Sequence, residues 1–512
     1  MSEASTLREV ERKLAVDERF VMPDLRLSGA PHVTAQPTVV LTATYYDTDD
    51  LRLARSGVTL RRRTGGADAG WHLKLPTGDA ADARDEMQLP LKSGRPGNVP
   101  DELSTLVLAL TRGAPLAARA TQRTRRKPTN IGSLSDVVDL EVVDDSVSLI
   151  DGPLANTKYR EVEVEVLGNS QLMNVVIELL RDAGAETSTS KSKGIRAVAG
   201  DITLAPIIPP VERARPKDTA SYAVTQLVRT HVQALITQDL RVRRGLPDAV
   251  HQFRVSARRL RSGLQAFGPL VDDEWARSLR TELGWIAGVL GASRDREVIE
   301  ARLFASIRAL PGDLDRAAAL VAVQTQLDSE RAVADHEIEV ALGSVRYLAL
   351  LDQLVAAAEK PPTTDQAEGS AASVLPPLVN KRWKRLAREA DLLHDELLGH
   401  DDHWHKTRIT AKKARYAVDA CVPVFGGPAR KLAKQLEQVT ELLGEHQDCA
   451  VAADTVRGIL DRETGPQTAF ALGALYAQQR DRTAQIRREF IEAWPRISHS
   501  EWRKWLKVKA AE

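Results

Sequence analysis

The sequence predicts a multidomain α+β chain, a strand-rich N-terminal half followed by an all-helical half. Three observations carry that class. Up to about residue 200, apolar and polar residues alternate in short stretches split by Gly, Pro and Asp, the period of strands. From about 218 the period becomes 3.6, in long Ala-, Leu- and Arg-rich segments. Between them, "LAPIIPPVERARPK" (204–217) holds four prolines, which resist both helix and central strand and read as a linker over 203–217.

Composition bounds the function. A chain of 512 residues has room for two or three domains, each with its own core. Net charge is only +1, so the molecule as a whole is no polycation, and any basic surface is local. The two cysteines, Cys421 and Cys449, argue against a disulfide framework and suit a reducing cytosol. "MSEASTLREVERK" lacks the apolar core of a signal peptide, and no run of about 18 apolar residues offers a membrane span. A cytoplasmic protein with no membrane partner is the expectation.

Taken in order, the clearest strands are "EVERKLAV" (9–16), "GVTLRRRT" (57–64), "WHLKLP" (71–76), "DEMQLPL" (85–91) and "REVEVEVL" (160–167). An amphipathic helix, "SQLMNVVIELLRDAGA" (170–185), interrupts them. Strand side chains alternate between faces, so each strand sorts by parity. Glu9, Glu11 and Lys13 share one face; Arg61 and Arg63 share another. His72 and Lys74 oppose Trp71, Leu73 and Leu75, while Arg84, Glu86 and Gln88 oppose Asp85, Met87 and Leu89. Glu161, Glu163 and Glu165 oppose three valines, and in "QRTRRK" Arg123 and Arg125 share a parity. One charged strand face is ordinarily the wet side of a half-buried sheet. A set in which some strands present acid and others base has two readings: cross-strand pairing, or a closed barrel with its polar faces turned inward. Carboxylates suit a hard divalent cation, and guanidinium forks suit phosphate oxygens. Together they point to metal-assisted chemistry on a polyanion.

Glu9-x-Glu11-x-Lys13 resembles the ExExK signature of the CYTH family, the triphosphate tunnel metalloenzymes. "YYDTDDLRLARSGVTLRRR" (45–63), "WHLKLP", "RDE", "EVVDD", "REVEVEV" and "SKSKGIRA" follow in that family's order, over residues 5–202. The resemblance implies an eight-stranded antiparallel tunnel with flanking helices, hydrolysing triphosphates with Mg²⁺ or Mn²⁺. It implies metal ligands at Glu9, Glu11, Glu163 and Glu165, joined by Asp145 and Glu161. It implies triphosphate contacts at Arg61, Arg63, Lys74, Arg123 and Arg125, with Lys193 closing the site. Glu11 and Lys13 would carry catalysis, Lys13 by gripping phosphate or positioning the attacking water. Glu86 and Glu141 match acidic positions without a separable role, and Gln88 stands where many members carry a charge. The apolar parity of each strand would pack outward, against helices such as 170–185.

In the helical half, "HQFRVSARRLR" (251–261) returns 154 positions later as "HKTRITAKKAR" (405–415). At 100° per residue, His251, Arg254, Arg258 and Arg261 fall within about 80° of one another, a continuous basic stripe flanked by Arg259. His405, Arg408, Lys412 and Arg415 repeat it, flanked by Lys413. Neither stripe contains an acid to pair with. "LGASRD" (290–295) and "LGEHQD" (443–448) recur at nearly the same offset, so the half reads as an internal duplication over 218–359 and 378–510, divided by "KPPTTDQAEGSAASVLPP". No Cys, Asp or Glu stands at zinc-site spacing from either histidine, which suits them to donate to phosphate.

These paired helices resemble the CHAD domain, with coverage from 218 to 510. The resemblance implies two pseudo-symmetric helical bundles around a basic channel that binds inorganic polyphosphate. The ligands would be His251, Arg254, Arg258, Arg261, His405, Arg408, Lys412 and Arg415, with Arg382 and Arg385 adjoining; Asp295 and Asp448 read as structural residues at helix ends or between helices. The expected function is hydrolysis of inorganic triphosphate in the tunnel, with polyphosphate bound behind it. The alternatives are a non-enzymatic polyphosphate-binding protein, or a hydrolase of thiamine triphosphate or a nucleoside triphosphate. Nucleic acid is disfavoured, because the basic helices carry little aromatic stacking surface.

Overall fold

The computed structural model describes residues 5–76, 83–188, 192–397, 399–462 and 465–507. The chain divides into two compact units, Met1–Ile207 and Ile208–Glu512.

The first unit is built on strands β1 (Ser5–Val16), β2 (His32–Ala35), β3 (Val39–Asp47), β4 (Thr59–Thr64), β5 (Gly70–Pro76), β6 (Ala83–Pro90), β7 (Ala117–Gly132), β8 (Leu140–Asp151), β9 (Lys158–Val166) and β10 (Glu186–Thr187). Short helices α1 (Arg52–Arg55), α2 (Asp101–Leu106) and α3 (Leu108–Thr111), with α4 (Gln171–Asp182) and α5 (Lys193–Ala199), complete it. Every strand pairing is antiparallel, in the order β1-β6-β5-β4-β3-β7-β8-β9. Then β1 pairs β9, Glu11 opposite Glu165 and Lys13 opposite Glu163, so eight strands close into a barrel. Short β2 adds to β7, and β10 to the end of β1.

The alternation read from the sequence is what the pleat uses. Leu14, Val142, Val162 and Val164 turn outward and are buried against Met173, Val176, Ile177 and Leu180 of α4. That apolar seam stabilises the barrel from outside, at roughly 25 cal/mol per Å² removed from water. The opposite parity, with the charged residues, faces the lumen. Sequence reading caught β1, β4, β5, β6, β9 and α4 closely; the second strand and the two-residue β10 carry too few residues for a period.

The second unit holds α6 (Ala220–Arg243), α7 (Ala249–Ala266), α8 (Asp273–Arg308), α9 (Arg316–Gly343), α10 (Val345–Glu359), α11 (Ala371–Leu392), α12 (Asp401–Asp419), the short α13 (Val422–Phe425), α14 (Gly427–Leu460) and α15 (Pro466–Ile497). The duplication is visible in their lengths. Helices α6, α7, α8 and α9 run 24, 18, 36 and 28 residues; α11, α12, α14 and α15 run 22, 19, 34 and 32. The two copies even share a junction. Thr219 and Ser370 bridge each other, each capping its own helix through its hydroxyl, to Tyr222 N–H and Ser373 N–H. The Ala220 N–H donates to the Gly369 carbonyl and the Ala371 N–H to the Asp218 carbonyl. Contrary to the sequence reading, α11 starts ahead of Pro376 and Pro377 and contains both. Likewise "LGASRD" and "LGEHQD" lie inside α8 and α14 and not at helix ends. Among the described residues no single helix is long and apolar enough to cross a membrane.

Candidate functional site

The lumen collects charge from strands far apart in sequence. Glu9, Glu11 and Lys13 stand on β1; Arg61 and Arg63 on β4; His72 and Lys74 on β5; Glu86 and Gln88 on β6. Glu141 and Asp145 stand on β8, and Glu161, Glu163 and Glu165 on β9. The registers bind these into one surface, with Lys74 opposite Glu86, Glu165 opposite Glu141 and Glu161 opposite Asp145.

Most of the acids are held by a cation. Lys13 Nζ lies 2.7 Å from Glu163 and 3.1 Å from Glu11. Lys74 pairs with Glu9, and Lys193 with Asp145, Glu161 and Glu163. Arg126 makes a forked contact to Asp145, 3.1 and 2.8 Å, and reaches Glu163 at 3.0 Å. Burial alone would raise Glu11, but Lys13, Lys74 and Lys193 outweigh it and hold that carboxyl well below its usual range. Lys13 is buried too, and Glu163 and Glu11 keep it charged. Glu9 goes the other way: burial and a hydrogen bond with Glu86 push it up to about 8, so the two carboxyls share a proton. Glu141 and Glu165 are also raised, chiefly by burial. His72 sits between Glu86, 2.8 Å from Nδ1, and the Asp68 carbonyl, 2.9 Å from Nε2. Burial brings His72 down to about 4, and, against burial, hydrogen bonds from His72 and Glu9 with the charges of Lys74 and Arg61 hold Glu86 well below its usual range. Arg61 approaches the same carboxyl at 3.8 Å, and Gln88 donates to it at 3.2 Å.

The basic wall is similarly strained by burial. Desolvation, then Arg61 and Arg126, bring Arg63 down to about 9. Burial brings Lys193 to about 7 despite Asp145 beside it. Lys193 gets that deep because Gly194 follows it: a Cβ there would lie 2.6 Å from the Tyr45 ring and 2.9 Å from Thr59.

Two of the expected phosphate contacts are elsewhere. Arg123 and Arg125 are exposed, on the outer parity of β7, and Arg126 enters the lumen in their place. The inner neighbours on that strand, Gln122 and Thr124, are uncharged, so choosing the more basic parity selected the wrong face. Among the described residues, no three His, Cys, Asp or Glu side chains converge in metal-ligand geometry as they stand, since the ammonium groups draw the carboxylates into pairs. The donor set is nonetheless all oxygen, from six or more carboxyls on one surface, which is what a hard divalent ion requires.

In the second unit the two basic stripes meet. Helices α7 and α12 pack on each other. Burial, then Arg408, Arg258 and Arg254, bring Lys412 down to about 7, with Asp448 opposing them. Arg254 is buried against α8, its Nη2 only 3.0 Å from where a Cβ on Gly291 would stand, so the glycine of "LGASRD" makes its space. A second cationic group joins Lys413 to Arg385, Arg382, Arg261 and Arg280. Arg280 was not singled out in the sequence, where it is one arginine of α8 among several. His405 is exposed and bonds Gln447. Asp448 thus lies beside the basic cluster, while the Asp295 side chain falls outside the described residues. Arg415 departs from the expected stripe. It bonds Glu437 at 2.6 Å and Thr440 at 2.8 Å, acids and hydroxyls supplied by α14.

The CYTH domain family matches residues 7–197 and the CHAD domain family residues 226–457. The chain belongs to the CYTH–CHAD proteins. "Uncharacterized protein Rv2226" of Mycobacterium tuberculosis (strain ATCC 25618 / H37Rv) is 32% identical over 515 residues, 95% of each chain. Among solved structures, PptA from Streptomyces chartreusis is 26% identical, covering 54% of this chain and 99% of its own, with a TM-score of 0.48. The CHAD domain from the plant Ricinus communis is 25% identical, covering 56% and 94%, with a TM-score of 0.43. The CYTH family is a triphosphate tunnel fold, so the activity of this CYTH–CHAD protein is triphosphate-related.

Proposed function

We propose that the tunnel hydrolyses inorganic triphosphate and that the groove between α7 and α12 binds inorganic polyphosphate. One observation carries the first part: Glu11, Glu163 and Glu165 form an acid wall, Arg61, Arg63 and Arg126 a basic one, and Lys13 stands against the acids. The converging side chains are overwhelmingly charged, which matches a substrate that is charge along its whole length.

The residues that would hold a divalent metal, Mg²⁺ or Mn²⁺, are Glu9, Glu11, Glu163 and Glu165, with Asp145 and Glu161 beside them. Bound there, the ion would neutralise phosphate oxygens and lower the pKa of a coordinated water. The chain's own contribution is positioning. Arg61, Arg63 and Arg126 fix the phosphate oxygens by forked bonds, and Lys74 and Lys193 add charge from either side. Lys13, kept protonated by two carboxylates, orients the water or grips the transferred phosphoryl group. Phosphoryl transfer needs little more than this alignment and charge neutralisation. For the groove, the support is the convergence of Arg254, Arg258, Arg408 and Lys412.

Phosphate release from tripolyphosphate with Mg²⁺ or Mn²⁺, with ATP in parallel, tests the reading. Activity preferring tripolyphosphate, and reduced by about 10²-fold or more in Glu11→Gln with the fold intact, is expected. Equal activity in that variant would remove Glu11 from the site. No release with either metal, in protein that still binds polyphosphate, would favour a binding protein over an enzyme.

A further inference from the structure

Residues of α6, α12 and α14, with Arg259 of α7, line a cavity of about 830 Å³, within the size range of small-molecule pockets. One wall is aliphatic: Val211, Ala223, Leu227, Val422, Pro423 and Val424. The other is polar and incompletely satisfied. Gln226, 5% exposed, accepts the Glu212 N–H at 2.7 Å through its carbonyl oxygen, and this fixes its amide. Its Nε2 then has no partner among the described residues, and neither do the buried atoms Arg259 Nε and Asp419 Oδ2. Arg415 pairs with Asp419 through Nε at 3.6 Å, an ion pair too long for a hydrogen bond, while its Nη atoms bond Thr440 and Glu437. His231, brought to about 4 by burial and Arg259, is neutral and supplies no counter-charge. Donors and a carboxylate oxygen without hydrogen bonds therefore line a cavity that has an aliphatic wall and further charges of both signs, Arg213, Arg430 and Glu437 among them.

We propose that this cavity binds a small zwitterion with an apolar body, an aliphatic amino acid or short apolar peptide. Its carboxylate sits at Arg259 and Gln226, its ammonium at Asp419, and its side chain on the Val/Leu/Pro wall. A buried donor or acceptor left unpaired costs on the order of 1–3 kcal/mol, and a ligand bearing both charges satisfies all three groups at once. An anion alone would leave the Asp419 oxygen without a hydrogen bond, and a cation alone the Arg259 Nε donor.

Calorimetric titration of the full-length protein tests this with leucine, leucyl-leucine and two compounds that each delete one head, 4-methylpentanoate and 3-methylbutylamine. One saturable site is expected for leucine or for leucyl-leucine, and the stronger of the two identifies the occupant's size. Either one-headed compound should bind at least about tenfold more weakly. Arg259→Gln, Gln226→Leu and Asp419→Asn should each weaken zwitterion binding, the two charge variants by about tenfold or more. Arg258→Gln, on the groove side of the same helix, should not. No saturable heat from either zwitterion overturns the proposal, as does a one-headed compound of equal affinity. Equal loss in Arg258→Gln would overturn the assignment to this cavity. The titrations of the unaltered protein stand even if a variant fails to fold.

Discussion

Three consecutive basic residues, Arg125, Arg126 and Lys127, are chemically alike, and only the pleat separates them. Arg126 alone meets Asp145 and Glu163 in the lumen. Replacing it by Ala should lower kcat/KM for tripolyphosphate by about 10²-fold, because a desolvated charge-assisted contact is lost. Arg123→Ala or Arg125→Ala, on the wet face, should stay within about twofold in the same phosphate-release assay. Most of the lumen was legible in the sequence because alternation reports face directly, as in Glu161-x-Glu163-x-Glu165. On β7 it failed because charge density stood in for direction, and only the neighbouring strands decide which parity is inside.

Helices α7 and α12 show how far a basic stripe can be read and where it stops. The 154-residue repeat placed both helices correctly, but partners from other helices have no sequence signature at that range. Arg415 meets Glu437 of α14, and Asp448 of α14 approaches Lys412. Lys412 gives a pH dependence with a definite sign. Held near 7 by burial and its arginine neighbours, it is charged below that pH and neutral above it. Polyphosphate affinity should therefore fall as pH rises through about 7, and Lys412→Arg should flatten the profile in a binding titration across that range. His446 on α14 titrates against stability instead. It stacks on Trp404 and accepts a hydrogen bond from Arg487 Nε at 3.1 Å, so its ring is neutral; burial and that arginine bring it to about 4. A histidine depressed from 6.5 contributes stability that is complete above pH 6.5 and is lost as pH falls toward 4. The loss should be on the order of 2–3 kcal/mol. Denaturant melts at pH 7 and pH 4.5 should show it, and His446→Gln should narrow the difference between them.

At the scale of the molecule, a net charge of +1 conceals the segregation of charge into a lumen lined with both signs and a groove lined mainly with one. That segregation is legible in the sequence, because the chain changes period and charge pattern together near residue 200. The cavity beside Arg259 is not, since its lining comes from short segments spread between Val211 and Glu437. One feature of the barrel reaches furthest. The first strand pairs β6 on one side and β9 on the other, so it is the clasp of the ring as well as the bearer of Glu9, Glu11 and Lys13. A chain begun instead at Met22 would lack it. What remains would be an open curved sheet with β6 and β9 as raw edges, free to recruit strands from other copies. Such a product should sediment as aggregate, and would leave no half-active monomer. In this protein the seam and the chemistry are one strand, and neither can be lost without the other.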